Sequence, residues 1–502
     1  MSRPRRSSVA RRLAVPSALA VGALSGGLAV PAETGAQPES VPTIEWTDCG
    51  DGFECAVTQV PLDHRRPRRA SIDISLIRKP AADQEHRIGT LFIGHPLGTV
   101  DLIREQIPPP ALDLLAQFDV VGYDGRGTDI DCGTDESLLE AFRSTAIPPD
   151  PAEVDAMVSS AEEYGRRCAE THGDLLPHIS TTAMARDLDL LRAAVGDEQL
   201  TFIGTSQGTA IGAHYASMFP GRVRAMVLDA PWDVETGRDR PLELWREQSA
   251  AFEHVLDRFF MACAAHQAAC GFGGTDPESA FDALLERLDH EPLPAPEPSD
   301  PRPVDGDEVR LAMNDAMYDP SRWPPLAAAL AQAESGDGSL VRELASVALN
   351  NRVNPTLNQF IANVAVDQDF PDDVATLAQE ARHLDAVVPH FAAEGTHINF
   401  LVGLWPARSR DVFDGDFQHA DDAAPILVIG GTNDAATPYV WAERVVADLG
   451  NARLFTYESD GHGAINDLDP CVLRPVLTYL SDPSTPLPDD LVCEQQLEPF
   501  ES

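Results

Sequence analysis

Lysine is nearly missing from this chain. Among 502 residues there is one, Lys79, so the 37 basic residues are otherwise all arginine. Positive charge of any kind is scarce, because 80 Asp and Glu leave a formal net charge of −43. A surface that acidic repels phosphate backbones, which excludes a nucleic-acid partner and disfavours an anionic membrane surface. Beyond the N-terminus no apolar run reaches the roughly 18 residues needed to span a bilayer, so no membrane contact is expected of the mature chain. No C-x-x-C pair occurs, and no histidine pair stands beside the cysteines at ligand spacing, which argues against a metal site. No internal repeat is visible. Disorder is excluded by what is present, since 43% of the residues are hydrophobic, enough for a sizeable core. At 502 residues the chain is too long for one simple core. Its length suits two or three units, or one large α/β core with an insertion.

Residues 1–36 read as a signal peptide with a short arm. Arg3, Arg5, Arg6, Arg11 and Arg12 form a positive start, followed by an apolar, small-residue stretch from Leu13 to about Val30. Pro16, Gly22, Gly26 and Gly27 weaken the competing reading of a retained anchor. Val30-Pro31-Ala32 and Thr34-Gly35-Ala36 both offer small residues before a cut. A secreted or cell-envelope protein is expected, exported by the Sec route or, through Arg11-Arg12, the twin-arginine route. A cut after Ala32 removes five arginines and no acid, taking −43 to −48. Behind an export signal, eight cysteines suggest disulfides. Sequence neighbours point to Cys49–Cys55, Cys132–Cys168, Cys263–Cys270 and Cys471–Cys493.

Short β-like runs, including Ala70–Ile77, precede a series of apolar runs of the buried-strand kind. These are Gly89–Gly94, Phe118–Tyr123, Leu200–Gly204, Arg224–Leu228, Pro425–Ile429 and Arg453–Tyr457. Helical patterns such as Thr182–Val195 and Thr209–Phe219 lie between them. This alternation predicts an α/β fold with a mostly parallel sheet and helices on both faces. From Pro231 to Ala423 the pattern turns helical and Ala-rich, with a Pro-dense stretch at Glu291–Pro303, and then strands return. The expected layout is a first core part over 37–230, an inserted helical cap over 231–423 and a second core part over 424–502.

The most informative segment is Phe202-Ile203-Gly204-Thr205-Ser206-Gln207-Gly208, where a strand runs through G-x-S-x-G into a helix. That context is a nucleophile elbow, with Ser206 on a strained turn above the sheet's carboxyl edge. A serine hydroxyl needs a base, and the base an orienting acid, in the chain order Ser, acid, His. Strand Pro425–Ile429 ends in Gly430-Gly431-Thr432-Asn433-Asp434, and strand Arg453–Tyr457 is followed by Ser459-Asp460-Gly461-His462-Gly463. We assign His462 as the base and Asp434 as the acid, with Asp460 and Asn433 as rivals for the second role. The amide of Gln207, at the helix start, is one expected oxyanion donor.

These segments resemble the secreted tripeptidyl and prolyl-type aminopeptidases of the α/β-hydrolase fold. The resemblance runs from about Trp46 to Cys493. It includes Val60-Pro61-Leu62-Asp63-His64, Ala185-Arg186-Asp187-Leu188, the elbow, Phe219-Pro220-Gly221-Arg222-Val223, Val227-Leu228-Asp229, Gly431–Pro438 and Asp460–Gly463. It implies a helical cap, disulfides, no cofactor and cleavage of short peptides from a free N-terminus. Family members carry a glycine-rich loop of the G-G-P-G-G-S-G kind after the first core strand. Here that loop reads Gly94-His95-Pro96-Leu97-Gly98. Pro96 has no N–H to donate. The second oxyanion donor is then the His95 amide, or that of Leu97 in a shifted register. D-P-R-G appears as Asp124-Gly125-Arg126-Gly127.

The leading expectation is a monomeric serine aminopeptidase acting on peptides. An esterase or lipase-like hydrolase acting on small esters is the alternative. A binding protein with weak or lost turnover is the third reading, prompted by the altered loop. An aminopeptidase must hold an ammonium group, and Asp229, Asp233, Glu235, Glu243 and Glu247 are candidate carboxylates. Trp232, Trp245 and Trp405 are read as pocket lining or, more simply, as core.

Overall fold

The computed structural model describes residues 40–95, 98–106, 115–133, 151–296, 302–352, 355–488 and 491–501. The signal segment and the alternative donor Leu97 lie outside the described residues.

Ten strands form one sheet. They are β1 (Thr47–Gly50), β2 (Phe53–Pro61), β3 (Ser71–Lys79), β4 (Gly89–Gly94), β5 (Phe118–Tyr123), β6 (Leu200–Thr205), β7 (Val223–Asp229), β8 (Ile426–Asn433), β9 (Ala452–Asp460) and β10 (Leu491–Glu494). Their order is β1-β2-β3-β5-β4-β6-β7-β8-β9-β10. The first three pairings are antiparallel and all the rest parallel. The central strands are unbroken apolar runs because helices cover both of their faces.

On one face α1 (Thr181–Ala194), α2 (Gly208–Met218) and a later helix, Tyr439–Leu449, pack Leu188, Ile211, Tyr215 and Val445 on Phe92, Phe202, Met226 and Val428. On the other, the helix Pro470–Ser481 sets Val472, Val476 and Tyr479 against Leu91, Val227, Leu427 and Phe455. Between β7 and β8 the chain leaves the sheet for helices spanning Val234 to Gly403. They include α3 (Pro241–Ala265), α4 (Gly306–Ala316), α5 (Pro355–Asp367) and α6 (Ala392–Gly403). Part of this segment has its own core around Phe259, Phe281, Trp323 and Leu330, to which Phe500 near the C-terminus adds its ring. A mostly parallel sheet, helices on both faces and a helical excursion after β7 make up the α/β-hydrolase fold.

The disulfides join Cys49 to Cys55, Cys132 to Cys168, Cys263 to Cys270 and Cys471 to Cys493. The last ties the short edge strand β10 to the helix Pro470–Ser481. Four disulfides are consistent with an exported protein. No helix among the described residues is long and apolar enough to cross a membrane.

Three segments singled out by the resemblance meet in one buried ion cluster. Arg126 reaches Asp187 through Nε and Nη2, both at 2.7 Å, and His64 Nε2 lies 2.8 Å from the same carboxylate. Arg126 also donates to the carbonyls of Pro61, Leu62 and His178. Burial alone would raise the pKa of Asp187, but Arg126 and His64 outweigh it and hold the carboxylate below its ordinary value. The cluster locks the ends of β2 and β5 to the middle of α1.

Candidate active site

Ser206 sits between β6 and α2 at φ 55°, a left-handed conformation costly for any residue with a Cβ. Its amide is held by the Asp229 carbonyl at 2.9 Å, and its own carbonyl accepts from Thr209. The flanking glycines are required by close approach. A Cβ on Gly204 would lie 2.8 Å from the Gly208 carbonyl oxygen, and one on Gly208 only 2.1 Å from that of Gly94. The strain and the crowding together aim Ser206 out of the sheet edge, at the start of α2. There the free N–H groups and the helix dipole favour negative charge.

His462 follows β9. Its Nδ1 lies 2.9 Å from both carboxylate oxygens of Asp434, which follows β8. Asp434 is buried and also accepts from the amides of Ala436 and Thr437 and from Thr437 Oγ1. That pairing assigns the Nδ1 proton to the bond with Asp434 and leaves Nε2 unprotonated, able to act as a base. Burial opposes charging His462, but Asp434 and Asp229 overcome it and raise its pKa above the ordinary imidazole value. The rivals for the acid are engaged elsewhere. Asp460 is held by Arg258 of α3, and Asn433 by His254 and the Ser459 carbonyl.

The base loop and the nucleophile turn meet over Asp229, at the end of β7. The Asp229 carboxylate accepts from the amides of Ala464 and Ile465 at 3.0 Å each. A Cβ on Gly463 would lie 3.8 Å from Thr205 Cγ2. The helical segment reaches the same loop from above. The His462 amide donates to the Tyr318 carbonyl at 2.8 Å, and the two rings meet edge to face at 5.7 Å.

His95 continues β4, whose Gly94 pairs in register with Gly204 of β6, so it stands beside the elbow. Its ring is pushed down to about 4 by burial and by nearby His462, and stays neutral at physiological pH. Gln207 directs its side chain away from Ser206, donating to Asn363 of α5 at 2.7 Å. The Gln207 side chain is therefore committed to α5.

Several carboxylates proposed for ammonium binding are not available for it, which corrects that expectation. Asp229 is consumed by backbone amides. Asp233 is fully buried, caps the helix Val234–Asp239 through Thr236 and pairs with Arg444. Glu247 is taken by Arg444 and by Trp441 Nε1 at 2.8 Å. Trp232, Trp245 and Trp405 are core residues. Tyr318 and Arg258 are the site-shaping residues that sequence reasoning missed, and Asp229, singled out as an ammonium binder, instead holds the His462 loop. For Asp229 the available signal was its place at the carboxyl end of a central strand, one strand from the nucleophile.

A family model described as TAP-like protein matches residues 395–493, the stretch that carries Asp434 and His462. The serine protease Hip1 of Mycobacterium tuberculosis is 28% identical over 96% of this chain and 98% of its own length. The chain is thus similar to TAP-like proteins over the segment that carries the acid and the base, on an α/β-hydrolase fold. A tripeptidyl aminopeptidase of Streptomyces coelicolor is 27% identical over 87% of this chain and 83% of the relative. A carboxylesterase B of Mycobacterium tuberculosis is 28% identical over 96% and 99%, respectively.

Proposed function

We propose that the protein is an exported serine aminopeptidase that releases short peptides or residues from free N-termini through an acyl-enzyme. Ser206 Oγ attacks the scissile carbonyl carbon while His462 Nε2 takes its proton. Asp434 holds the Nδ1–H and stabilises the imidazolium. The amides of Gln207 and His95 receive the oxyanion. Collapse breaks the C–N bond, and the leaving amine takes the proton from His462. Water, deprotonated by His462, then attacks the ester, releases the acid and returns the proton to Ser206. The helical segment over 231–423 serves as a cap that limits substrate length.

The observation that carries this reading is the His462–Asp434 pair, set over the strained Ser206 turn through Asp229. The peptidase names of two relatives matched over most of their length support the substrate class. A relative named carboxylesterase favours esters as the second reading. Fluorophosphonate labelling followed by a chromogenic panel tests both. Wild type should be labelled and S206A not. Free-amine peptidyl substrates should be cleaved and their N-blocked counterparts refused. Cleavage of short acyl esters with no action on free-amine peptides would favour the esterase. An S206A protein that kept full activity would overturn the mechanism.

A further inference from the structure

Asp229 is a buried carboxylate that the mechanism above does not use. It is 1% exposed and, among the described residues, forms no ion pair with arginine or lysine. Its two ends serve two different catalytic segments. Through its main chain it pairs in register with Thr205 and accepts the Ser206 amide at 2.9 Å. Through its side chain it holds the amides of Ala464 and Ile465, which follow the base by two and three residues. Next to it, Ala230 is kept at φ 54° with its amide on the Ile429 carbonyl of β8, the strand that leads to Asp434. One residue thus touches the turns that carry nucleophile and base, and its neighbour touches the strand that carries the acid.

A buried carboxylate without a basic partner is unfavourable unless hydrogen bonds and a nearby cation compensate it. Here two amides compensate in the resting state, and the nearby group able to become cationic is His462. Imidazolium forms on His462 whenever Ser206 attacks.

We propose that ionised Asp229 is a positioning residue, fixing the His462 loop to the Ser206 turn and, together with Asp434, stabilising the imidazolium. This rests on the serine-hydrolase reading of the site. The charged and titratable groups facing it are His462 and Asp434 from the loops after β9 and β8, and Tyr457 within β9. His95 faces His462 from the loop after β4. Burial pushes the Asp229 pKa up to about 6, Asp434 adds to the rise, and the two amides and His462 oppose it. His462 is raised as well. Both groups are thus raised, and on this proposal the site is active only when each has lost its proton. The His95 ring, at about 4, is already neutral there.

The test is the rate of fluorophosphonate labelling of Ser206 against pH, in wild type and D229N, with thermal melts to verify folding. In wild type the acid limb should fall with a slope approaching two. Asparagine at 229 accepts from one amide only, turns an NH2 toward the other and carries no charge. The D229N rate at its plateau should fall by about 10- to 100-fold, as expected for a small misplacement of reacting groups. Its acid limb should move to lower pH, because His462 loses an anion that favoured its protonation, and its slope should fall to one. A folded D229N with the wild-type rate and limb overturns the inference. If D229N does not fold, the wild-type slope decides, and a slope of one overturns it. Absence of labelling in wild type would instead refute the serine-hydrolase reading itself.

Discussion

His95 separates main-chain from side-chain duty at one residue. Its ring is neutral across the working range, so H95A should leave the pH profile close to wild type and keep the amide. H95P removes the N–H and should cost about 10²–10³-fold in kcat, the usual loss for one oxyanion donor. The comparison of the two variants in steady-state assays isolates the donor. At Asp434 the expected loss is larger. D434N presents an NH2 to His462 Nδ1 and reverses the tautomer, which should lower kcat by roughly 10³–10⁴-fold while Ser206 stays in place. The raised pKa of His462 sets a further expectation. The base must be neutral to act, so the acid limb of kcat/KM should lie above 6.5, the ordinary imidazole value.

At the scale of elements, the nucleophile, acid and base were legible as candidates because each stands in a local pattern of strand and turn. Gly208 shows the physical content of one such pattern. G208A places a methyl 2.1 Å from the Gly94 carbonyl, so α2 must retreat from β4. We expect a loss of about 1–3 kcal/mol in chemical denaturation, the range for overpacking, together with a drop in labelling rate. The central strands were legible as continuous apolar runs, whereas β10 was not. It has four residues and lies at an edge, where a disulfide helps hold it. The motifs around His64, Arg126 and Asp187 were visible, but their purpose was not. The partners of Asp187 lie 61 and 123 residues away, and no local pattern encodes such a meeting. Breaking that cluster with D187N should cost about 3–5 kcal/mol, because Arg126 would be left buried with its charge uncompensated. A shifted urea midpoint with normal kcat in the folded fraction would verify this. The same distance problem left the roles of the candidate acids open. Charge alone did not reveal that Asp233 and Glu247 were already bound to Arg444.

For the whole molecule, the surplus of acid remains its dominant surface property. A formal charge of −43 destabilises the compact state by self-repulsion, and salt screens it. Melting temperature should rise as NaCl is added from low ionic strength, and activity should not peak at low salt and fall steadily. A thermal-shift series with parallel rate measurements checks both. The buried Arg126 cluster should be insensitive to the same series. The molecule also links its two regions at the base itself. The Tyr318 carbonyl holds the His462 amide, the Tyr318 ring lies against the imidazole, and Arg258 grips Asp460 two residues before it. Lifting the helical segment to admit a large chain would therefore pull the base away from the serine. In the proposed peptidase the helical segment would thus act as an interlock, and a folded protein that forced it aside would meet a serine without its base.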